Sequence, residues 1–278
     1  MKNFGNGLKI SEKKIRKIKI ELEKKMIEFK NWHEDDGIVF HYETQINFSQ
    51  ADINGNISLN ELLRITSDVA VEDYRQQGLS REFLKENGVA ILVSRVAFHF
   101  HKMPRENQKI SVVTWEEKPE ALQLKRAYRI SDENGNLLVD GLSSWIVVNL
   151  EARRIMPTKD FKLHKPNDYQ RQDGCMKPGK ISLPDNLAEV DSRKIRFSDL
   201  DSNGHTTNSR YGAFIADALP VEYRGRQPSD FKINYSKEAM LDEDVHILSA
   251  ETEVDGKKKL VYVGKTDKGN SFEAELYF

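Results

Sequence analysis

One segment of this chain occurs twice. Ile46–Asn60 reads INFSQADINGNISLN and Ile195–Ser209 reads IRFSDLDSNGHTTNS; with Asp52 set against Asp201 the two align without a gap. Ile46/Ile195, Phe48/Phe197, Ser49/Ser198, Asp52/Asp201, Asn54/Asn203 and Gly55/Gly204 are then identical. Copies so far apart are not solenoid units; they constrain the chain to two domain-sized halves in series. One difference matters to chemistry: Asn56 in the first copy is His205 in the second. A repeated element with a titratable group in one copy points to two structural halves and one reactive centre.

The flanking patterns repeat as well. Val39–Phe48 alternates and reads as a strand, followed by a D-I-N-G-N turn. Ser58-x-x-Glu61, a capping box, then opens a helix carrying Leu62, Leu63, Ile65, Val69 and Val71. Strands are expected at Val89–His101, Ile110–Glu117, Ala121–Ser131 and Leu137–Leu150. The second half repeats this order: strand Ser192–Phe197, turn, helix Asn208–Leu219, then strands Phe231–Met240, Val245–Thr252, Lys259–Lys265 and Ser271–Phe278. Phe98-x-Phe100-x-Lys102 also matches Ile233-x-Tyr235-x-Lys237. Between the halves, Glu151–Ala188 is polar, broken by four prolines, and reads as a linker. Ahead of them, Leu8–Trp32 has the spacing of an amphipathic helix with Lys-rich faces. It would pack on the body of the protein or a second subunit, or offer a basic docking surface.

Composition narrows the function classes. With 38% hydrophobic and 31% charged residues the chain is globular, and a net charge of −1 gives no field for holding nucleic acid. Cys175 is the single cysteine, so no internal disulfide framework exists and a reducing compartment is expected. No apolar run reaches membrane-spanning length and the N-terminus lacks a signal-peptide core, so the expected location is cytoplasmic. Gln50 to Glu61 resembles a calcium-binding loop, but Gln50 lacks the first carboxylate and a strand precedes it, so no metal is expected there. His99 and His101 alternate on one strand without further ligands and read as structural; Cys175 reads as a surface thiol.

Asp201, Asn203 and His205 are spaced two apart, and on an extended segment they would point the same way. A helix follows, whose first N–H groups would be unpaired and could stabilise an oxyanion near Gly204–Thr207. The alternative is a turn stabilised by Asp and Asn with the histidine as bystander. The residues alone leave both open.

Asp201-x-Asn203-x-His205-x-x-Asn208, preceded by Phe197-Ser198-Asp199-Leu200 and followed by Tyr211, resembles the active-site motif of the acyl-acyl-carrier-protein thioesterases. The resemblance covers roughly residues 38–278 and implies an α+β fold of two tandem hot-dog domains, each an antiparallel β-sheet wrapped around a long α-helix, plus the N-terminal helix. The expected division is 1–36 helix extension, 37–155 N-terminal domain with the acyl pocket, 156–190 linker and 191–278 catalytic domain. Leu62, Leu63, Ile65, Val69, Ile91 and Val93 are candidates for the pocket lining. The resemblance also implies Asp201, Asn203, His205 and Glu238 as catalytic residues. Ala239 stands where the family often has a cysteine, and Glu238 falls opposite Met103 in the repeat. It implies no cofactor and no metal. The partner would be an acyl carrier protein bearing a phosphopantetheine-linked acyl chain, and a homodimer is allowed. The rival readings are a coenzyme A thioesterase, a non-catalytic acyl-binding protein and a hot-dog dehydratase.

Overall fold

A computed structural model describes residues 30–165 and 175–278. In chain order the elements are β1 (Asn31–His33), β2 (Val39–Gln45), α1 (Leu59–Gln76), α2 (Arg81–Glu86), β3 (Val89–Phe100), β4 (Lys109–Glu117), β5 (Leu124–Asp132), β6 (Leu137–Asn149) and β7 (Arg154–Met156). The second half contains β8 (Ala188–Lys194), α3 (Arg210–Asp217), β9 (Asp230–Tyr235), β10 (Asp244–Val254), β11 (Lys257–Thr266) and β12 (Gly269–Tyr277). The strands form one antiparallel sheet in the order β1-β2-β4-β5-β6-β3-β9-β12-β11-β10-β8, with β7 on β6. This is the tandem hot-dog architecture, with its halves joined edge to edge at β3 and β9.

The register at that junction explains the repeat. Ala97 lies directly opposite Lys232. If Phe98 is equivalent to Ile233, then Ala97 is equivalent to Lys232. The paired residues are therefore each other's counterparts, and a local pseudo-twofold axis passes between them. Both halves share one core: Phe40, Leu62 and Phe98 belong to the same buried cluster as Phe214, Phe231 and Phe272. Phe98 stacks on Phe231 across the junction, centroids 6.3 Å apart. The helices also meet there. A Cβ at Gly212 would come 2.9 Å from Leu63 Cδ1 and 3.0 Å from the Asn60 backbone nitrogen, so only glycine lets α3 approach α1 this closely.

Four local expectations change. Asn31–His33, the end of the anticipated N-terminal helix, is strand β1 paired with Phe40–Tyr42, while residues 1–29 lie outside the described residues. The turn at Glu34–Gly37 closes the hairpin, and Trp32 stacks on His41 at 4.8 Å. The second helix is short, with eight residues against eighteen in α1, because Pro220 blocks its extension. The strand anticipated to reach Met240 stops at Tyr235, leaving Ser236–Met240 as a loop. The Pro-rich segment is anchored by buried Phe161 and Ile181, and Cys175 is half-buried against the cluster containing Trp115 rather than on the open surface.

A charged cluster lies inside the first half. Fully buried Arg126 pairs with Asp73 at 2.6 Å and lies over the Tyr74 ring, whose hydroxyl donates to Glu116 at 2.6 Å. His33 contacts Asp73 and His164 contacts Glu116, closing the network on two sides. Burial pushes the Glu116 carboxyl up, but the His164 hydrogen bond and the Arg126 charge outweigh it and hold the group below the usual glutamate range.

Candidate active site

The two copies of the repeat fold into the same loop. Each closes with a backbone bond from the aspartate N–H, to Asn56 O in the first copy and to His205 O in the second (2.7 and 2.8 Å). Each places its glycine at positive φ, +72° at Gly55 and +81° at Gly204. In each, the aspartate Oδ1 accepts two backbone N–H groups: Asn54 and Asn56 for Asp52, Asn203 and His205 for Asp201. The aspartate therefore holds the loop in both halves. The segment is the turn anticipated from the sequence, closed on itself, and not an extended stretch on which Asp201, Asn203 and His205 would all point the same way.

This turn also removes the anticipated oxyanion donors. The Gly204 N–H donates to Asp201 O, His205 N–H to Asp201 Oδ1, Thr206 N–H to Ala239 O and Thr207 N–H to Asp199 O. All four are satisfied within the fold. The amide of Asn203 is placed differently: its Nδ2 donates one bond to Asp201 Oδ2 at 3.2 Å and has a second hydrogen to offer.

His205 and Glu238 converge. His205 Nδ1 lies 3.1 Å from Glu238 Oε1, with both side chains partly open to solvent. The loop carrying Glu238 is fixed on either side. Ser236 and Lys237 N–H groups bond to β12 partners Ser271 and Asn270, and Thr206 donates both N–H and Oγ1 to Ala239 O. A bridge between His205 and Met240 completes the connection, and its first-half counterpart joins Asn56 to Arg105. At the position of Glu238 the first half has Met103, which packs on the core.

The four residues singled out from the sequence thus share one site. Reading the sequence missed α2 and its Arg81. Arg81 donates to Ser202 Oγ at 2.6 Å and to Asn203 Oδ1, so the first half reaches into the loop of the second. The Ser80-x-Glu82 cap was the available signal, since Ser80 Oγ accepts Phe83 N–H.

Next to Asn203 opens a cavity of about 340 Å³, lined by Leu79, Leu84, Val89, Ile91 and Trp145 among others. Asn203 is the one lining residue from the second half among the described residues. Of the anticipated lining, Ile91 is present. Leu62, Leu63, Ile65 and Val69 are buried in the shared core; Ile65 and Val69 also border a separate cavity with Tyr42 and Arg64, and Val93 borders a smaller cleft with Leu63. The side chains with metal-ligand character are engaged elsewhere: Glu61 pairs with Arg64, His99 with Asp230 and His101 with Asp140. Among the described residues no cluster of three or more acidic, His or Cys side chains could hold a metal, and no helix is long and apolar enough to cross a membrane.

A tandem pair of hot-dog folds with its polar site at the start of the second short helix defines the class. The family models for the N-terminal and C-terminal domains of acyl-ACP thioesterases match residues 37–162 and 184–275, and the chain belongs to that family. It is 24% identical over 246 residues to the chloroplastic palmitoyl-acyl carrier protein thioesterase of Arabidopsis thaliana, covering 79% of this chain and 57% of that one. The chain thus spans somewhat over half the length of that relative. An acyl-ACP thioesterase of Bacteroides thetaiotaomicron superposes with a TM-score of 0.78 at 22% identity, covering 88% of this chain and 99% of its own. The 12:0-ACP thioesterase of Umbellularia californica gives 0.73 at 16% identity, with 86% and 93% covered. These structural likenesses establish the fold.

Proposed function

We propose that this protein hydrolyses fatty acyl thioesters on acyl carrier protein, releasing free fatty acid and the carrier's phosphopantetheine thiol. One observation carries the reading: Asn203 both lines the apolar cavity and belongs to the loop that presents His205 to Glu238. A thioester lying at Asn203, with its acyl chain in the first-half cavity, has its carbonyl beside the His205–Glu238 pair.

The geometry supports distinct roles. Glu238 faces His205 Nδ1 and favours the tautomer with its proton there, leaving Nε2 as the base. Nε2 takes a proton from water, and the resulting hydroxide attacks the thioester carbonyl carbon. The free Nδ2 hydrogen of Asn203 stabilises the oxyanion that forms. Collapse breaks the carbon–sulfur bond, and the imidazolium returns its proton to the departing thiolate. Asp201, with both carboxylate oxygens occupied in the turn, acts by holding Asn203 and His205. Buried Ala239 stands beside Glu238, so no cysteine nucleophile acts from that position. The single Cys175 fits a reducing compartment such as the cytoplasm.

The test is release of fatty acid and free thiol from a chain-length panel of acyl carrier proteins. Turnover by the parent protein and a loss of about 10²–10⁴-fold in His205→Ala and Glu238→Ala are expected. Equal rates on matched acyl-coenzyme A would reassign the leaving group. Tight acyl binding without product would make the protein a binding module, and a double bond in the product a dehydratase.

A further inference from the structure

We propose that Arg81 is a positioning residue for this reaction: it clamps the Asn203 amide from the opposite half and aims its free Nδ2 hydrogen at the substrate carbonyl. The proposal rests on the thioesterase reading for its kinetic part. Its structural part stands on the hydrogen bonds themselves.

Arg81 is the first residue of α2, whose cap Ser80 fixes the helix start. From there its guanidinium donates to Ser202 Oγ and to Ser202 O (2.6 and 3.3 Å), as well as to Asn203 Oδ1. Asn203 Nδ2 is meanwhile bonded to Asp201 Oδ2. The amide is therefore held at both ends, by a cation on oxygen and an anion on nitrogen. This fixes the amide plane and its O/N orientation. It also withdraws electron density toward Oδ1, which makes the remaining Nδ2 hydrogen a stronger donor.

The other half supplies an internal control. The pseudo-twofold axis sets each loop against the segment that follows the other half's helix. Asn54, the counterpart of Asn203, faces Gly225 in the segment after α3, where a Cβ would stand 3.0 Å from Asn54 Nδ2. From the opposite half, the loop with a histidine thus meets an arginine and the loop without one meets Gly225; the first loop's own arginine, Arg105 of the same half, bonds Asn56 Oδ1 and the Asn54 backbone oxygen rather than the Asn54 amide. Arg81 also lines the apolar cavity together with Asn203, so the clamp sits where the acyl chain would meet the thioester.

The experiment compares Arg81→Met and Arg81→Lys with the parent, each checked for native circular dichroism, on an acyl-carrier-protein substrate. A charge-assisted bond lost at the reacting group lowers kcat by roughly 10- to 100-fold in Arg81→Met, with KM essentially unchanged and partial rescue in Arg81→Lys. In an Asn203→Ala background the same Arg81→Met change has little further effect on kcat. A raised KM at unchanged kcat would make Arg81 a docking residue and overturn the proposal, as would an undiminished effect in the Asn203→Ala background. The NMR signal of the Asn203 side-chain amide, assigned by its loss in Asn203→Asp, tests the clamp without turnover. It shifts in Arg81→Met if the clamp exists and stays in place if it does not. A parent that hydrolyses nothing would therefore defeat the thioesterase reading and leave this arm to decide the clamp.

Discussion

Asp201 can act as a covalent nucleophile or as the brace of the loop, and the duplication provides a matched control for deciding. Asp201 Oδ1 accepts the N–H groups of Asn203 and His205 at 2.8 and 3.2 Å, and Asp52 Oδ1 accepts those of Asn54 and Asn56 at 2.8 and 3.0 Å. Replacing either aspartate by alanine removes two charge-assisted bonds to backbone N–H groups, and Asp201→Ala also removes the one from Asn203 Nδ2 to Oδ2. Buried, each would contribute about 1.5–3 kcal/mol. In these solvent-accessible turns water replaces part of that, so about 1–2 kcal/mol in total is expected, a drop in Tm of roughly 2–8 °C. Asp52→Ala and Asp201→Ala should therefore lose similar stability by calorimetry. Their activities should part company. Asp52→Ala keeps near-parental turnover, while Asp201→Ala, which frees both Asn203 and His205, falls by roughly 10²-fold or more. The deciding variant is Asp201→Asn. It keeps an acceptor oxygen for both N–H groups and loses only the acceptor of the Asn203 amide, so it should retain more kcat than Asp201→Ala if Asp201 only braces the loop. An Asp201→Asn protein that is folded yet as inactive as His205→Ala, or an acyl adduct found on Asp201 by mass spectrometry, would refute the reasoning.

Two further outcomes test the cavity and its surroundings. Arg126→Met leaves buried Asp73 and Glu116 without their cation and should destabilise the protein by about 3–5 kcal/mol in urea unfolding; a cost under about 1 kcal/mol would mean the cluster contributes no net stability. Ile91→Trp narrows the cavity beside Asn203 and should shift the preferred acyl chain to shorter lengths in the release assay, with rates on the shortest substrates preserved; an unchanged length profile would place the acyl chain elsewhere.

What the sequence made legible follows from what is written twice or written locally. The strand, turn and helix around Asp52 and Asp201 could be read because one sequence pattern had to satisfy one loop geometry in both places, glycine at positive φ included. His205 stood out because Asn56 occupies the equivalent place, whereas Glu238 came from the family resemblance, with Met103 opposite it in agreement. The satisfied backbone donors of Gly204–Thr207 were not legible. Their partners Asp199 and Ala239 come from before the turn and from a loop beyond β9, and only tertiary pairing brings them in. Which apolar residues line the cavity beside Asn203 was not legible for a similar reason. The apolar face of α1 was read correctly as buried, but burial in a shared core and exposure to a cavity leave the same hydrophobic spacing. Arg81 and Gly225 mark the limit of the repeat itself. No shared residue aligns them, and they become counterparts only when β3 pairs with β9 and each loop is carried onto the other half. The difference between the halves is therefore spread over three places, and the third is created by how the halves pack rather than by the motif that distinguishes them.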